Sequence, residues 1–401
     1  MCKSFILILF LFFGLFSSCQ AQDAEDSSER ILFHINSNVK NQEADYFQEI
    51  VGEWKAYLQE GTFFSLSNSR WNDHVPMPDY PYASLLFELR ALTDSSQQFQ
   101  CTILGIIPTE KDFYQLKAMF SKEDESTCKH DISHIISVYA KANKDSYHFF
   151  NATQYYKAVY PNKKVGQVNY IIHPEHDFNL EEAKKMSAFN TKMAALFEEE
   201  PIAFDYVLAN NTDDIGKMMG MEFFPFSMMA VQSGGMADNY NKVIYAGNNS
   251  AYYPHEVVHL YTYIKYAGQY HSWVDEGIAA YFGGSTGYKL EWHLQKLKTF
   301  LEKNPDFPLD NLTALQTDVP NGEYTTDFRY AIGGYLMGKI YEKEGMEGFF
   351  EALQAGRAEA DYFAYLKEKF GFEQEEFGDF IKAEMKKLKK IPEEELDTYR
   401  Y

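Results

Sequence analysis

Basic residues are scarce in this sequence. Its 401 residues include 37 Lys and Arg against 58 Asp and Glu, which gives a formal net charge of −21 at pH 7. Nucleic acids and anionic membrane surfaces attract positive charge, so this balance argues against both as partners. One short basic run occurs, at Lys386–Lys390, and it is typical of the solvated face of a helix near its C-terminal end.

Long apolar runs are missing as well. The run Phe5–Phe16 has twelve residues, whereas a helix needs about 20 to span a bilayer. Lys3 precedes this run, and the small residues Ser17 and Ser18 follow it. A positive start, a short apolar run and small residues together predict an export signal over residues 1–18.

Cys19 follows these small residues, an arrangement similar to the cleavage site of a bacterial lipoprotein. In that interpretation Cys19 becomes the acylated first residue. The polar, acidic residues 19–29 then form a flexible tether, which resembles the acidic tethers of Bacteroidetes-type lipoproteins. We therefore expect an exported protein whose lipid anchors it to the membrane, on the periplasmic or cell-surface side of the outer membrane. An ordinary secretory signal cut near Ala21 is the alternative.

Cysteine is equally rare, with four in the chain. Removal of the signal discards Cys2, and lipidation would occupy Cys19. Cys101 and Cys128 remain, an even pair in an oxidising compartment. A disulfide and two buried thiols are both compatible with the sequence, because it does not give the distance between the two residues.

The chain is long enough for two domains, and its aromatic content of 17% is typical of a globular fold. Residues 30–165 open with a predicted helix over 42–59, whose apolar residues recur at helical spacing. Strand-like runs follow at 101–107, 136–142 and 147–152. A helix followed by antiparallel strands is a pattern similar to an NTF2-like cone. It predicts an N-terminal α+β accessory domain.

A boundary is predicted in the segment PNKKVGQ, where Pro, Gly and charged residues occur together. The second domain then covers residues 166–401. It opens with two predicted strands, in the segments VNYIIHP and FDYVLA, with a helix between them, as in a small α/β lobe. Predicted helices at 347–357, 359–370 and 374–390 complete a helical lobe. The predicted fold class of the whole chain is α+β.

The segment HEVVH carries the most specific chemistry in the chain. His255 and His259 are four residues apart, so a helix places both imidazoles on one face. Two neutral imidazoles side by side are ligands that zinc favours. Glu256 would lie beside the metal, where a carboxylate can take a proton from water. Apolar and aromatic neighbours predict a buried helix, in which His and Glu side chains need partners.

A second helical segment, WVDEGIAAYF, follows, with sixteen residues between His259 and Glu276. Together the two segments resemble the gluzincin metallopeptidases, most closely the M1-like peptidase MA group. The resemblance implies that His255, His259 and Glu276 hold Zn²⁺. It also implies that Glu256 is the general base. The second domain would then be a gluzincin-type catalytic domain with an edge strand, an active-site helix and a C-terminal helical lobe.

Other residues compete for the position of third ligand. His271 and Asp275 are the nearby rivals, although Asp275 is better suited to orienting a ligand or capping the helix. A metzincin site would need a third His six residues after His259. Lys265 stands at that position, so the metzincin alternative is excluded.

A strand is predicted at VIYA, after two glycines that allow close approach of another backbone. Gluzincins place an edge strand beside the zinc, where the substrate pairs as an added strand. The resemblance therefore predicts substrate-binding residues here, namely Gly234, Gly235, Met236, Val243, Ile244 and Tyr245. The segment GGMADN also resembles the G-x-M-E-N element of M1 exopeptidases, with one extra residue and Asp in place of Glu, which leaves aminopeptidase activity open. A simple hairpin turn is the alternative.

Tyr330 is the residue predicted to stabilise the oxyanion. M1-like enzymes have a Tyr three residues before a Gly at this point of the chain, and Tyr330 stands three residues before Gly333. In the family, that hydroxyl hydrogen-bonds the tetrahedral oxyanion. Tyr324 and Tyr335 are rivals at nearby positions.

These features predict zinc-dependent hydrolysis of peptide bonds by metal-activated water, with a peptide or protein as substrate. A lipid-anchored surface binding protein with a structural or vestigial zinc site is the alternative. An intact Glu256 favours the enzyme, because a structural site needs no general base. A third interpretation keeps the zinc but changes the bond, since M1-like scaffolds also hydrolyse non-peptide substrates. The sequence indicates neither the cleaved sequence nor an oligomeric state.

Overall fold

The computed structural model describes residues 31–60, 68–71, 99–124, 129–144, 146–223, 234–315, 319 and 326–400. Within these ranges the protein is a mixed α+β fold, as predicted, and it contains two β-sheets. The predicted signal and tether, Cys19, Cys128 and Tyr324 lie outside the described residues. None of the helices formed by described residues has both the length and the apolar character that crossing a membrane requires.

The strands, in chain order, are β1 (Ile31–Ile35), β2 (Phe99–Pro108), β3 (Phe113–Asp124), β4 (Lys129–Ala142), β5 (Tyr147–Phe150), β6 (Asn162–Val165), β7 (Val168–Ile172), β8 (Phe204–Leu208), β9 (Met221–Phe223), β10 (Gly235–Asp238) and β11 (Val243–Ala246). The helices are α1 (Asp45–Glu60), α2 (Ala152–Val159), α3 (Leu180–Phe197), α4 (Thr212–Met218), α5 (Pro254–Tyr266), α6 (Ser272–Gly283), α7 (Leu290–Lys303), α8 (Gly334–Gln354), α9 (Glu359–Phe370), α10 (Phe377–Lys387) and α11 (Glu393–Leu396).

The described chain forms two compact units. The sheet unit takes the described residues through Leu180, together with Phe204–Ala251, and contains both sheets. The helical unit takes Glu181–Ala203 and the described residues from Tyr252 onward. Each unit is therefore assembled from segments that are not contiguous in the sequence.

The first sheet has the strand order β1-β2-β3-β4-β5, with β9 paired to β4. Helix α1 packs on it with the apolar face that its spacing predicts: Phe47, Ile50 and Trp54 are fully buried in one cluster with Cys101 of β2. Cys101 is a free thiol. Burial raises its pKa to about 12, so the thiol stays neutral and acts as a small core residue.

The second sheet has the order β10-β11-β8-β7-β6. Its three inner strands are parallel to one another, and the two edge strands are antiparallel to their neighbours. Strands β7, β8 and β11 are buried at nearly every position, because parallel strands are usually covered on both faces.

The domain boundary predicted at 165/166 falls inside this second sheet and is wrong as a division between units. The residues on either side form the β6–β7 hairpin, in which Val165 pairs with Val168. Both strands belong to the sheet unit. The segment PNKKVGQ therefore contains a strand and a hairpin turn. Pro, Gly and charged residues are typical of turns and linkers alike, so composition did not distinguish the two.

A buried hydrogen-bond network joins α3 to α5 within the helical unit. The Tyr261 hydroxyl on α5 donates to Oδ1 of Asn190 on α3 over 2.6 Å and accepts the Ile202 N–H over 3.2 Å. Asn190 Nδ2 in turn donates to the carbonyl of Ile202 over 2.9 Å. Because each of these buried polar groups has a partner, the network fixes α5 against α3 without the penalty of an unmade hydrogen bond.

Candidate metal centre

Helix α5 carries both histidines of the HEVVH segment. It begins with Pro254, at a position where the missing N–H removes no helical hydrogen bond. His255 and His259 lie one turn apart, and their ring centroids are separated by 4.8 Å. Their exposures are 2% and 8%, so the helix is buried as predicted.

A backbone carbonyl orients His255. The distance from its Nδ1 to the carbonyl oxygen of Gly284 is 2.6 Å, so Nδ1 donates a proton there and Nε2 is left as the metal-binding nitrogen. Gly284 follows α6 with φ 65° and ψ −159°, a conformation essentially restricted to glycine. Glycine at this position therefore allows the carbonyl to point at His255.

A carboxylate orients His259. Its Nδ1 donates to Oδ2 of Asp275 over 2.9 Å, and the Thr262 hydroxyl donates to Oδ1 of the same carboxylate over 2.6 Å. Asp275 therefore lies behind the imidazole, where it leaves Nε2 available. Burial lowers the pKa of His259, but the Asp275 carboxylate outweighs burial and raises that pKa to about 10. A metal ion bound at Nε2 would accordingly displace a proton.

Glu276 on α6 completes the trio of metal-ligand atoms. Its Oε2 lies 3.2 Å from His255 Nε2 and 3.8 Å from His259 Nε2. In the part of the chain that the structure describes, this is the group of His, Cys, Asp and Glu side chains close enough to hold a metal ion. Ligand atoms around a tetrahedral zinc, each about 2.0–2.1 Å from the metal, lie roughly 3.3 Å apart. The two distances from Oε2 are near this value, and all three ligand atoms lie within 4.8 Å of one another, so the group is close enough to hold a metal ion.

The charge state of Glu276 also suits a metal ligand. Burial alone would raise its pKa, but in the metal-free protein the contact with His255 and the positive charges of His259 and Arg329 outweigh burial and lower the pKa to about 2. The carboxylate therefore remains ionised over the physiological pH range, as a ligand must be.

Glu256 lies beside the trio without belonging to it. It is in the first turn of α5, next to His255, and is 6% exposed. Burial raises the pKa of its carboxyl group, the two histidines oppose that effect, and the carboxylates of Glu276 and Asp275 reinforce it. A carboxyl group with a raised pKa is suited to taking and returning protons near neutral pH.

Tyr330 also lies next to the trio. It is part of a π-helical turn, Arg329–Gly333, directly before α8, and its ring centroid is 5.3 Å from that of His255. Turns of this kind are frequent at functional sites. The rival Tyr335 donates its hydroxyl to Glu384 instead, so that hydroxyl is engaged with another carboxylate.

The rival ligand His271 has a structural role. Its Nδ1 accepts the N–H of Trp273 at the start of α6 over 3.3 Å, and its ring stacks on Tyr362 at a centroid distance of 4.6 Å. Burial lowers the pKa of His271 to about 4, so the ring is neutral. Lys265, at the metzincin position, donates to the carbonyl of Phe197.

The predicted substrate-binding residues lie on the β10–β11 hairpin or directly before it: Gly234, Gly235, Met236, Val243, Ile244 and Tyr245. β11 pairs with β10 on one side and with β8 on the other. Its backbone hydrogen bonds are therefore made within the sheet, and its three predicted residues cannot pair with a substrate strand. A strand added to this sheet would pair with one of its edge strands, β10 or β6, and β10 is the one that carries predicted residues.

Several residues that sequence reasoning did not single out contact the trio or its supports. The Gly284 carbonyl accepts from Nδ1 of His255, and Thr262 donates to Asp275, the carboxylate that accepts from Nδ1 of His259. His293, which is fully buried, donates its Nε2 N–H to the carbonyl of the residue after Gly284 over 3.0 Å and so supports that loop. Arg329 lies 4.0 Å from Glu276 and pairs with Asp327. The available signal in the sequence was the acidic Asp327 and the basic Arg329, two positions apart and directly before Tyr330.

Two glycines allow the helices of the site to pack at very short range. A Cβ at Gly283, the end of α6, would lie 2.6 Å from the backbone nitrogen of His255. A Cβ at Gly277 would lie 2.6 Å from the carbonyl of Gly333 in the π-turn. Such distances are too short for carbon in van der Waals contact. Glycine at both positions therefore sets the spacing of the helices that carry the trio.

We expect Gly283→Ala to damage the metal site. The added methyl group must push α6 away from α5, which should lower the free energy of unfolding by about 1–3 kcal/mol. It should also weaken zinc binding, because the Gly284 carbonyl would no longer meet His255 Nδ1. Thermal unfolding of the metal-free protein and a zinc titration measure the two effects.

Gly52→Ala is the matched control for that substitution. Gly52 is exposed in the helix α1, and nothing lies within 4 Å of a Cβ added there. Alanine should leave zinc affinity unchanged and should raise stability slightly, since it is the better helix former. If Gly283→Ala behaved like this control, the close contact between α6 and α5 would not determine the geometry of the site.

No protein-family model matches the chain, and no curated protein matches it. Function is therefore inferred from the residues and the geometry of the metal centre.

Proposed function

We propose that the protein is a zinc-dependent hydrolase that cleaves peptide bonds. The observation that carries this proposal is the buried trio of His255, His259 and Glu276, whose ligand atoms all lie within 4.8 Å of one another. Both histidines use Nδ1 elsewhere and keep Nε2 for the metal. Two imidazoles and one carboxylate are a donor set of catalytic zinc sites, which keep a fourth position for water or substrate. When bound, zinc supplies a Lewis acid.

Glu256 is the residue that favours an enzyme. Its proposed task is to take a proton from the attacking water and to return it to the leaving amine. Its burial beside the trio and its raised pKa support this task. The alternative is a lipid-anchored binding protein with a structural or vestigial zinc site. Structural sites fill their fourth position with a ligand and hold no reactive water, so the buried carboxyl group of Glu256 would have no proton to move.

The substrate class is carried over from the resemblance to M1-like gluzincins. A peptide library incubated with the mature, zinc-loaded protein and analysed by mass spectrometry tests it. We expect fragments that appear with zinc and disappear when a chelator is added. A library that stayed intact would favour the binding-protein alternative, and cleavage of an ester library alone would favour the non-peptide interpretation.

Tyr330→Phe should lower kcat while leaving the zinc content unchanged. The Tyr330 hydroxyl is proposed to donate to the developing oxyanion, and removal of one such donor lowers kcat by about 10²–10³-fold in comparable sites. Phenylalanine keeps the ring contact with His255, so the fold of the π-turn should survive. Tyr335→Phe is the control: its hydroxyl bonds Glu384, and kcat should not change. Equal kcat values for the two variants would remove Tyr330 from the mechanism.

The proposal includes an exported, membrane-anchored location, which follows from the predicted signal and the predicted lipidation of Cys19. Mass spectrometry of the N-terminus of the protein recovered from cells tests it. An acylated Cys19 is expected, and an unmodified N-terminus near Ala21 would replace the anchor with simple secretion.

A further inference from the structure

Arg329 is a buried cation next to the metal trio. Its Nε and Nη2 donate to the two oxygens of Asp327 over 3.0 and 2.8 Å, and its Nη1 lies 4.0 Å from Oε1 of Glu276. The Arg329 side chain is 12% exposed, and both carboxylates are 9% exposed. Two buried carboxylates already face the guanidinium, and their combined negative charge exceeds its single positive charge. Arg329 is therefore poorly placed to hold a substrate anion in addition.

The two oxygens of Glu276 face different partners. Oε2 faces the two histidines, whereas Oε1 faces the guanidinium of Arg329. The guanidinium attracts Oε1 electrostatically from 4.0 Å, which favours the rotation of the carboxylate in which Oε2 points at the histidines. The other two ligands have such partners too, since Gly284 and Asp275 hold the outer nitrogens of the histidines.

The backbone that carries Arg329 is itself fixed against the backbone that carries Glu276. The π-turn Arg329–Gly333 contacts α6 at Gly277, the residue after Glu276, so closely that neither glycine has room for a side chain. At the other end of the turn, Oδ1 of Asp327 accepts the backbone N–H of Arg329 over 2.6 Å. Asp327 thus fixes both the main chain and the guanidinium of Arg329.

We propose that Arg329, held by Asp327, is a positioning residue that aims Oε2 of Glu276 at the metal. This inference rests on the proposed metal site and assigns its third ligand an ion-pair partner, whereas the two histidines have hydrogen-bonded partners. The Asp327–Arg329 pair carries no net charge, so it orients the ligand with little long-range repulsion of a divalent cation.

The test replaces the ion pair with an amide pair through the double substitution Asp327→Asn, Arg329→Gln. Net charge near the trio stays the same, and Asn has the size of Asp. Gln is shorter than Arg and carries no charge, so the charged contact with Glu276 is lost. We expect the Kd for zinc to rise about 10- to 100-fold, the range found when partners of metal ligands are removed. Competition with a chromophoric chelator measures Kd on the whole chain, with circular dichroism to verify folding.

A merely structural role predicts a different result. If the pair were merely structural, its removal would lower the temperature of unfolding of the metal-free protein without changing the zinc Kd of the folded protein. The control is Lys369→Gln with Glu344→Gln, which neutralises another ion pair of the helical unit, at 2.7 Å. This control should leave the zinc Kd unchanged.

Arg329→Lys keeps the test decisive if the double variant does not fold. Lysine retains the charge and can pair with Asp327, but its single ammonium cannot bind one carboxylate in a fork and face Glu276 as well. We expect a rise in Kd of about tenfold. If the wild type binds zinc and the folded variants bind it with the same Kd, this inference is wrong and the proposed function is unaffected. Absence of zinc binding by the wild type would overturn the proposed function and the inference together.

Discussion

Glu256→Gln should remove most of the hydrolytic activity while the zinc stays bound. Glutamine keeps the size of the side chain but cannot take a proton from water, and general-base catalysis contributes about 10²–10⁴-fold. The ligands His255, His259 and Glu276 are untouched, so zinc per chain should equal that of the wild type. We therefore expect kcat to fall by at least two orders of magnitude, with KM much less affected.

The control for Glu256→Gln is the same Glu→Gln substitution at a position outside the site. Glu302 on α7 is half exposed and pairs with Lys298 at 3.0 Å, so Glu302→Gln should retain both activity and zinc. Steady-state kinetics on a peptide cleaved by the wild type, with elemental analysis of the same samples, gives both quantities. Full turnover by zinc-loaded Glu256→Gln would show that another group moves the proton.

The double substitution His255→Ala, His259→Ala should abolish both zinc binding and activity. It removes two of the three ligand atoms, and a single carboxylate does not hold zinc in competition with water and buffer. Elemental analysis should find no zinc above background, and zinc should no longer raise the temperature of unfolding. In the wild type that temperature should rise with zinc concentration, because the ion binds the folded chain.

His173→Ala is the control for this loss. His173 lies in the sheet unit, where its Nδ1 accepts the N–H of Glu175, and its removal should leave one zinc per chain. Stoichiometric zinc in the His255→Ala, His259→Ala protein would place the metal elsewhere and would reject the ligand assignment.

The helical part of the site could be predicted from the sequence because its geometry is local. His255 and His259 lie on one helix, and their spacing alone puts them on the same face. The partners that orient them come from elsewhere: Gly284 from the end of α6 and Arg329 from a π-turn. Only tertiary packing brings such residues together, so nothing in the spacing of HEVVH or DEGIAAYF indicates them.

The strands and helices were predicted better than their grouping. The predicted strand segments VNYIIHP and FDYVLA contain β7 and β8, yet the helix α3 between them belongs almost entirely to the helical unit. The chain leaves the sheet unit after Leu180 and returns at Phe204. Local composition gives the type of each segment, but long-range contacts decide which unit it joins. The predicted boundary at 165/166 failed for the same reason.

Back-titration of the metal-free protein with zinc tests the central claim most directly. The protein is stripped with a chelator, zinc is added in steps of a fraction of an equivalent, and the rate of peptide cleavage is measured at each step. If the trio His255, His259 and Glu276 holds a catalytic zinc, the rate rises in proportion to bound zinc and levels off at one ion per chain. A chain that takes up one zinc and cleaves no faster than the stripped protein would contradict the account.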